Sequence, residues 1–127
     1  MELNNLTAIS PVDGRYRKQV AHLDEYFSEY ALMKYRVLIE ARYFIFLAER
    51  KFFMLSAKAK QTLIIIAEKF SLQDAERIKE IETITNHDVK AVEYFLKQKL
   101  DENSISADKE WIHFGLTSQD INNTAIP

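Results

Sequence analysis

The sequence predicts an all-α fold. Two glycines and two prolines in 127 residues leave few of the breaks that strands and tight hairpins require. The chain between these breaks consists mainly of long segments of good helix formers. One of them, residues 88–100, is amphipathic with the period of an α-helix. We therefore expect a single helical domain over residues 1–127.

Composition and charge exclude several classes of protein. Hydrophobic residues make up 47% of the chain and aromatic residues 12%, which is typical of a globular core. A formal charge of −2, from 17 basic and 19 acidic side chains, gives no electrostatic reason to expect nucleic acid or a membrane surface as partner. The lack of cysteine excludes disulfides and thiolate metal sites. With no signal peptide and no apolar run long enough for a membrane span, we expect a soluble cytoplasmic protein.

The first half of the chain contains the most apolar helix. An irregular segment over residues 1–17 precedes a short helix at 18–24. Ser28 is a typical N-cap and predicts a long helix over residues 29–50. Apolar side chains cover most of the circumference of this helix, which indicates that more than one of its faces is buried.

Capping residues predict the later helices. A capping box pairs a Ser or Thr with an acidic residue three positions on, and each satisfies a backbone N–H of the helix start. The predicted starts are Ser56 before 57–70, Ser71 with Asp74 before 72–83, Thr85 with Asp88 before 88–100, and Thr117 with Asp120 before a helix that begins at Ser118. The helix at 88–100 places Lys90, Glu93 and Lys97 opposite its apolar side chains.

The helix start at Thr117 and Ser118 is the first candidate site. Two hydroxyls lie beside the unpaired backbone N–H groups of a helix N-terminus, which is a favourable place for a carboxylate or phosphate. The alternative is that Thr117 and Asp120 only cap the helix, since such caps are common.

The second candidate lies in the turn around Asp13 and Gly14. This turn projects Arg15 and Tyr16 together, and an arginine beside a tyrosine can hold a phosphate through charge-assisted bonds and a phenol hydrogen bond. The alternative is a surface arginine with a tyrosine resting on the core.

The third candidate is the run Asn86-His87-Asp88 at the beginning of a helix. The positive end of a helix dipole favours a neutral imidazole, so His87 can exchange hydrogen bonds with a polar ligand. The alternative is a histidine that only fills a loop. His113, in an apolar segment, is better explained as a hydrogen-bonded core histidine than as a catalyst.

Three known kinds of site are poorly supported. Three dispersed histidines and no cysteine match no metal-ligand spacing. Two glycines are too few for a nucleotide P-loop or a serine-hydrolase elbow.

Three stretches of the sequence resemble one family. They run from Ser10 to Tyr16 (SPVDGRY), from Thr85 to Tyr94 (TNHDVKAVEY), and from His113 to Asn123 (HFGLTSQDINN). Together they resemble the N-terminal domain of bacterial adenylosuccinate lyases, within the fumarase/aspartase superfamily. The first two stretches are particular to this lyase, whereas the Thr-Ser-x-Asp pattern belongs to the whole superfamily.

This resemblance implies a purine-pathway enzyme. Such lyases release fumarate by β-elimination from adenylosuccinate, giving AMP, and from succinylaminoimidazole carboxamide ribotide, on the route to IMP. By resemblance, Arg15 and Tyr16 bind the nucleotide part, Asn86, His87 and Asp88 contact the substrate, and Thr117 and Ser118 hold a succinyl carboxylate. His87 orients the substrate and has a possible assisting role in proton transfer. No metal or organic cofactor is implied.

The resemblance covers only the first part of the family's fold. In the family, the serine base, the histidine acid and the long-helix bundle of a homotetramer lie in segments with no counterpart here. We therefore expect a fragment without catalytic acid or base, inactive alone, in which the last helix is only begun at Pro127. Two alternatives remain, another fumarate-releasing lyase such as argininosuccinate lyase and a free-standing helical interaction module.

Overall fold

The computed structural model describes residues 1–2 and 4–127; Leu3, part of the predicted irregular segment, lies outside the described residues. Every regular element in the described part is a helix, so the predicted all-α fold is confirmed. The α-helices are α1 (Arg17–Val20), α2 (Asp24–Phe27), α3 (Glu29–Glu49), α4 (Ala57–Glu68), α5 (Leu72–Thr85), α6 (Asp88–Glu102) and α7 (Ser118–Ala125), and 3-10 turns occupy Ala21–Leu23 and Ser106–Trp111. None of the described helices is long and apolar enough to cross a membrane.

Contacts divide the chain into two units, Met1–Ala31 and Leu32–Pro127. In the first unit, successive turns lead to α1, and the Arg17 guanidinium binds the Asp24 carboxylate, with Nη1 and Oδ1 2.6 Å apart. Gly14 is buried in this unit, and a Cβ there would lie 3.0 Å from Ala8 Cβ. The single domain expected over residues 1–127 stays a prediction.

The long helix α3 begins as the sequence predicts, since the hydroxyl of Ser28 accepts a hydrogen bond from the N–H of Ala31 at 3.1 Å. Its apolar side chains are buried on several sides, as expected from their distribution. Those with less than a tenth of their surface exposed are Ala31, Met33, Val37, Ala41, Phe44, Ile45 and Leu47. Two charged side chains of α3, Arg36 and Glu40, are buried as well, which the sequence did not predict.

The predicted caps of α4 and α5 are confirmed. Ser56 accepts from the N–H of Ala59 at 3.1 Å, and Ser71 forms a reciprocal capping box with Asp74. The antiparallel neighbours α5 and α6 pack along each other. The core of the second unit includes Phe44, Leu63, Ile78, Val89, Val92, Phe95, Leu96, Leu100, Ile112 and Ile121.

One residue of α6 departs from the predicted pattern. Glu93, expected on the polar face, is 5% exposed, and its carboxylate binds the ammonium groups of Lys90 at 3.0 Å and Lys97 at 3.2 Å. Burial acts to raise the pKa of Glu93, but the two lysines outweigh it and hold the pKa below its ordinary value. The long lysine side chains carry their charge back over the helix, so a carboxylate beneath them can be buried.

Candidate functional site

The helix α6 begins at a histidine. His87 is the N-cap, and its Nδ1 accepts a hydrogen bond from the backbone N–H of Lys90 at 3.1 Å. Because a backbone N–H can only donate, Nδ1 carries no proton, and the proton of the neutral ring is on Nε2. The imidazole therefore caps the helix with one nitrogen and presents an N–H donor with the other.

The predicted capping box of Thr85 and Asp88 is wrong. Asn86 adopts a left-handed conformation, with φ 51° and ψ 32°, and its N–H donates to the carbonyl of Glu82 at 2.8 Å. This geometry ends α5 at Thr85, which therefore cannot also cap α6. The Thr85 hydroxyl instead donates to the carbonyl of His87 at 3.1 Å.

The beginning of α7 lies beside His87. The hydroxyl oxygen of Ser118 is 3.4 Å from Nε2 of His87, a long contact that the Nε2–H donor can make to this oxygen. Half of the His87 side chain is exposed to solvent. The structure thus brings together two of the predicted site residues that are 31 positions apart in the chain.

Thr117 has a different role from Ser118. Its hydroxyl lies 3.0 Å from Oδ2 of Asp120, whose N–H points back to the same hydroxyl at 3.4 Å. The capping box predicted here is therefore confirmed. The backbone N–H of Thr117, which donates to Oδ2 of Asp120 at 2.8 Å, and the Thr117 hydroxyl lower the pKa of Asp120 and keep its carboxylate ionised. The Thr117 hydroxyl and the N–H of Asp120 are committed to the cap, while the N–H groups of Ser118 and Gln119 at the start of α7 have no acceptor within the helix.

A buried arginine joins the two helix starts to α3. The guanidinium of Arg36 lies 2.8 Å from the Asp88 carboxylate and donates to the side-chain oxygen of Asn122 at 3.0 Å. Only 6% of Arg36 is exposed. Because Asp88 is the first residue of α6 and Asn122 lies in α7, this one cation fixes both helices.

Asp88 is held as a carboxylate by this arrangement. Partial burial acts to raise its pKa, but the N–H of Val89 at 2.8 Å and the Arg36 guanidinium outweigh it, so the pKa is lowered. Sequence reasoning missed Arg36. The available signal was a pair of opposite charges, Arg36 and Glu40, spaced four positions apart on a helix whose apolar residues cover most of its circumference.

The turn before α7 contains the second notable histidine. His113 has a φ of 61°, and its Nδ1 is hydrogen-bonded to the carboxyl of Glu40, which has no exposed surface. His113 is thus a hydrogen-bonded histidine with 16% of its side chain exposed. Burial raises the pKa of Glu40, against the effect of the His113 hydrogen bond, which lowers it.

Arg15 and Tyr16 lie in the first unit and are described there by themselves. The guanidinium carbon of Arg15 is 4.6 Å from the centroid of the Tyr16 ring, and both side chains are exposed. The turn therefore projects them together, as the sequence predicts.

Other features of the described residues add little chemistry. Within residues 1–2 and 4–127, no three His, Asp or Glu side chains are grouped to hold a metal ion. A groove of about 310 Å³ is lined by Lys79, Glu82, Thr83 and Asn86. A second groove of about 480 Å³, between α3 and α7, is mainly apolar and includes Tyr43, Phe46, Leu116 and Ile121.

Comparison with known proteins identifies the family. The model of a family described as lyase matches residues 14–127. The chain belongs to this lyase family. It is 55% identical over 134 residues to the adenylosuccinate lyase of Dictyostelium discoideum, covering 100% of this chain and 29% of that protein. It is 52% identical over 128 residues to the adenylosuccinate lyase of Escherichia coli K12, covering 97% and 28%, and 52% identical over 130 residues to that of Vibrio cholerae, covering 98% and 28%. The chain therefore spans less than a third of the length of these relatives.

Proposed function

We propose that this chain is the N-terminal, substrate-binding part of an adenylosuccinate lyase. The observation that carries the proposal is the meeting of two helix starts, at which an Nε2–H donor of His87 lies 3.4 Å from the Ser118 hydroxyl. The similarity to three adenylosuccinate lyases along nearly the whole chain supports the same substrate. These three relatives, at 52–55% identity, are all adenylosuccinate lyases, which favours this enzyme over argininosuccinate lyase.

In this proposal the two helix starts bind the succinyl group of adenylosuccinate. The Ser118 hydroxyl, the Nε2–H of His87 and the unpaired N–H groups of α7 donate to a carboxylate. Thr117 maintains this arrangement by capping α7, and Asn86 and Asp88 orient His87 from either side. Arg15 and Tyr16 bind the phosphate of the nucleotide.

The reaction is a β-elimination. A base removes a proton from the carbon next to a carboxylate, the bond to the purine nitrogen breaks, and an acid protonates that nitrogen to give AMP and fumarate. Negative charge accumulates on the adjacent carboxylate in the transition state, where fixed donors such as Ser118 and His87 are most effective. The base and acid belong to the rest of the lyase, and we expect a cytoplasmic homotetramer as the complete protein.

A chimera tests the proposal. The chain replaces the matching N-terminal part of the E. coli enzyme, to which it is 52% identical. We expect the purified chimera to cleave adenylosuccinate to AMP and fumarate, and the 127-residue chain alone to show no turnover. A folded chimera with the parent's oligomeric mass but no turnover would contradict the proposal. Cleavage of argininosuccinate instead would support the other lyase, and turnover by the chain alone would refute its dependence on a base and acid from elsewhere.

A further inference from the structure

Three polar side chains lie on one face of α3. Arg36, Glu40 and Tyr43 are spaced four and three positions apart, so they project in the same direction from the helix. Each one reaches a residue between positions 113 and 122, the segment that contains the Thr117–Ser118 helix start. Arg36 donates to Asn122 at 3.0 Å, Glu40 bonds to His113, and the Tyr43 hydroxyl donates to the carbonyl of Phe114 at 2.8 Å.

The segment that these side chains reach contains an unfavourable backbone conformation. His113 has a φ of 61° and Gly115 a φ of 72°, both in the left-handed region. Glycine adopts this region readily, but a residue with a Cβ does so at an energetic cost, because its Cβ approaches the backbone carbonyl. Such a conformation persists only where neighbouring contacts hold it. Two contacts of this kind are the hydrogen bond between Glu40 and His113 and the hydrogen bond from Tyr43 to the carbonyl of Phe114.

Glu40 is in a costly environment for a carboxylate. It has no exposed surface, and no residue of the described part donates to its Oε2. The negative charge of Glu93 on α6 opposes its ionisation further. The hydrogen bond to His113 therefore has to offset this cost, because removing one partner of a buried pair leaves the other partner unpaired.

We propose that Glu40 is a positioning residue for the Thr117–Ser118 helix start and that it acts through His113. Its carboxylate accepts a hydrogen bond from Nδ1–H of His113 and fixes the ring and the left-handed turn. That turn sets where α7 begins, and hence where the Ser118 hydroxyl lies relative to Nε2 of His87. The effect of Glu40 on catalysis rests on the proposed function, whereas its effect on the turn does not.

With Glu40 in this role, His87 and His113 have opposite tautomers. In His87, Nδ1 accepts a backbone N–H and Nε2 carries the proton. In His113, Nδ1–H donates a hydrogen bond to the Glu40 carboxylate, which leaves a lone pair on Nε2. The difference comes from the partner of Nδ1, which is a donor in one case and a carboxylate in the other.

Nitrogen spectroscopy of the chain tests the structural part. In the ¹⁵N-labelled protein at neutral pH, we expect His113 to show a protonated Nδ1 and an unprotonated Nε2. Glu40→Gln keeps an oxygen acceptor and should preserve this pattern. Glu40→Leu should lose it and shift the amide resonances of Gly115, Ser118 and Gln119. Glu93→Gln, the matched control, removes another buried carboxylate whose charge opposes ionisation of Glu40, so it should not weaken the Glu40–His113 bond and should leave both the tautomer and these amides unchanged.

Three results would overturn the inference. The first is an unprotonated Nδ1 of His113 in the wild-type protein, a result that stands even if Glu40→Leu fails to fold. The second is a Glu40→Leu variant with unchanged resonances at residues 115–119. The third is a Glu93→Gln variant that perturbs the turn as strongly as Glu40→Leu.

The chimera tests the catalytic part separately. We expect Glu40→Leu to lower kcat/KM for adenylosuccinate by about 10- to 100-fold, because displacement of a binding group by about 1 Å has effects of this size. Glu40→Gln should recover most of that loss, and Glu93→Gln should be close to wild type. An inactive wild-type chimera with the expected His113 tautomer would refute the proposed function and leave the role of Glu40 in the turn intact. An active chimera that tolerates Glu40→Leu would refute the positioning role.

Discussion

The beginnings of α6 and α7 both need an acceptor for their first backbone N–H groups, and they obtain it from different side chains. At α7, Thr117 and Asp120 satisfy each other and the backbone, and both side chains are used in the cap. At α6, the His87 ring gives Nδ1 to the backbone N–H of Lys90 and keeps Nε2–H available. A capping box completes a helix start, whereas an imidazole cap completes it and leaves a donor pointing outward. This difference explains why His87, rather than Thr117, is the better candidate for contact with a ligand.

The largest effect is expected from a substitution that keeps the capping role of His87 Nδ1 and removes the donor at Nε2. His87→Asn retains a side-chain oxygen that can accept from Lys90, so α6 should remain capped and the free energy of unfolding nearly unchanged. The Nε2–H donor is lost, and we expect kcat/KM of the chimera to fall by about 100- to 1000-fold, as for loss of one transition-state donor.

The control for this variant is His22→Asn, which changes an exposed histidine of the first unit. It should leave both activity and stability at the wild-type level. An active His87→Asn chimera would show that the ring serves only as a cap, like the side chains at α7.

Removal of Arg36 should loosen both helix starts together. Arg36→Met deletes the bonds to Asp88 and Asn122, and we expect a loss of about 1.5–3 kcal/mol in the free energy of unfolding, as for hydrogen bonds to charged groups. Arg36→Lys keeps the charge but cannot form the same planar fork, so it should recover only part of the loss. Denaturant unfolding of the chain measures both values. Full stability of Arg36→Met would mean that α6 and α7 are held independently.

Substitutions of the neighbouring residues Thr117 and Ser118 should distinguish the hydroxyl that caps α7 from the hydroxyl that binds substrate. Thr117→Ala removes a capping hydroxyl and should destabilise the chain by about 1 kcal/mol. Ser118→Ala lies outside the capping box, so its stability should stay within about 0.5 kcal/mol of wild type, while its chimera loses affinity for adenylosuccinate. Thermal unfolding and KM measured on the same two variants should show this crossover. Equal effects on both quantities would remove the distinction between the two hydroxyls.

The smallest effect concerns acid stability at α6. The folded-state pKa of Asp88 is lowered from its ordinary value of 3.8. Its carboxylate therefore contributes stability that is present above the unfolded-state pKa and is lost as pH falls through the folded-state pKa. Asp88→Asn should be less stable than wild type near pH 7, with a difference that shrinks toward pH 2. Asp101→Asn is the control, because the Asp101 carboxylate pairs with Lys109 and not with Arg36.

Local rules predicted most of the helices. Ser28, Ser56, Ser71 and Thr117 all cap the helices assigned to them, because each interaction spans only three residues. The same rule failed at Thr85, since the left-handed Asn86 kept Thr85 inside α5 and moved the cap to His87. Two overlapping local patterns competed there, and the backbone at one residue decided between them.

The buried polar contacts were out of reach of such rules. Arg36 meets Asn122 across 86 positions and Glu40 meets His113 across 73, and neither pairing has a sequence signature. The polar stretches at Asn86 and Ser118 did predict the candidate site from the sequence. Hydroxyls and a histidine at a helix start indicate an anion-binding site without any knowledge of distant contacts. The side chains that hold these stretches together lie on α3, and they are two of its charged residues, Arg36 and Glu40, both of them buried.

The most direct test of the account is the tautomer of His87. A long-range ¹H–¹⁵N spectrum of the chain at neutral pH reports which ring nitrogen carries the proton. We predict a protonated Nε2 and an unprotonated Nδ1 that shifts when Lys90→Pro removes the N–H it accepts from. A protonated Nδ1 would contradict the account, because the ring would then neither cap α6 nor offer a donor to the Ser118 hydroxyl.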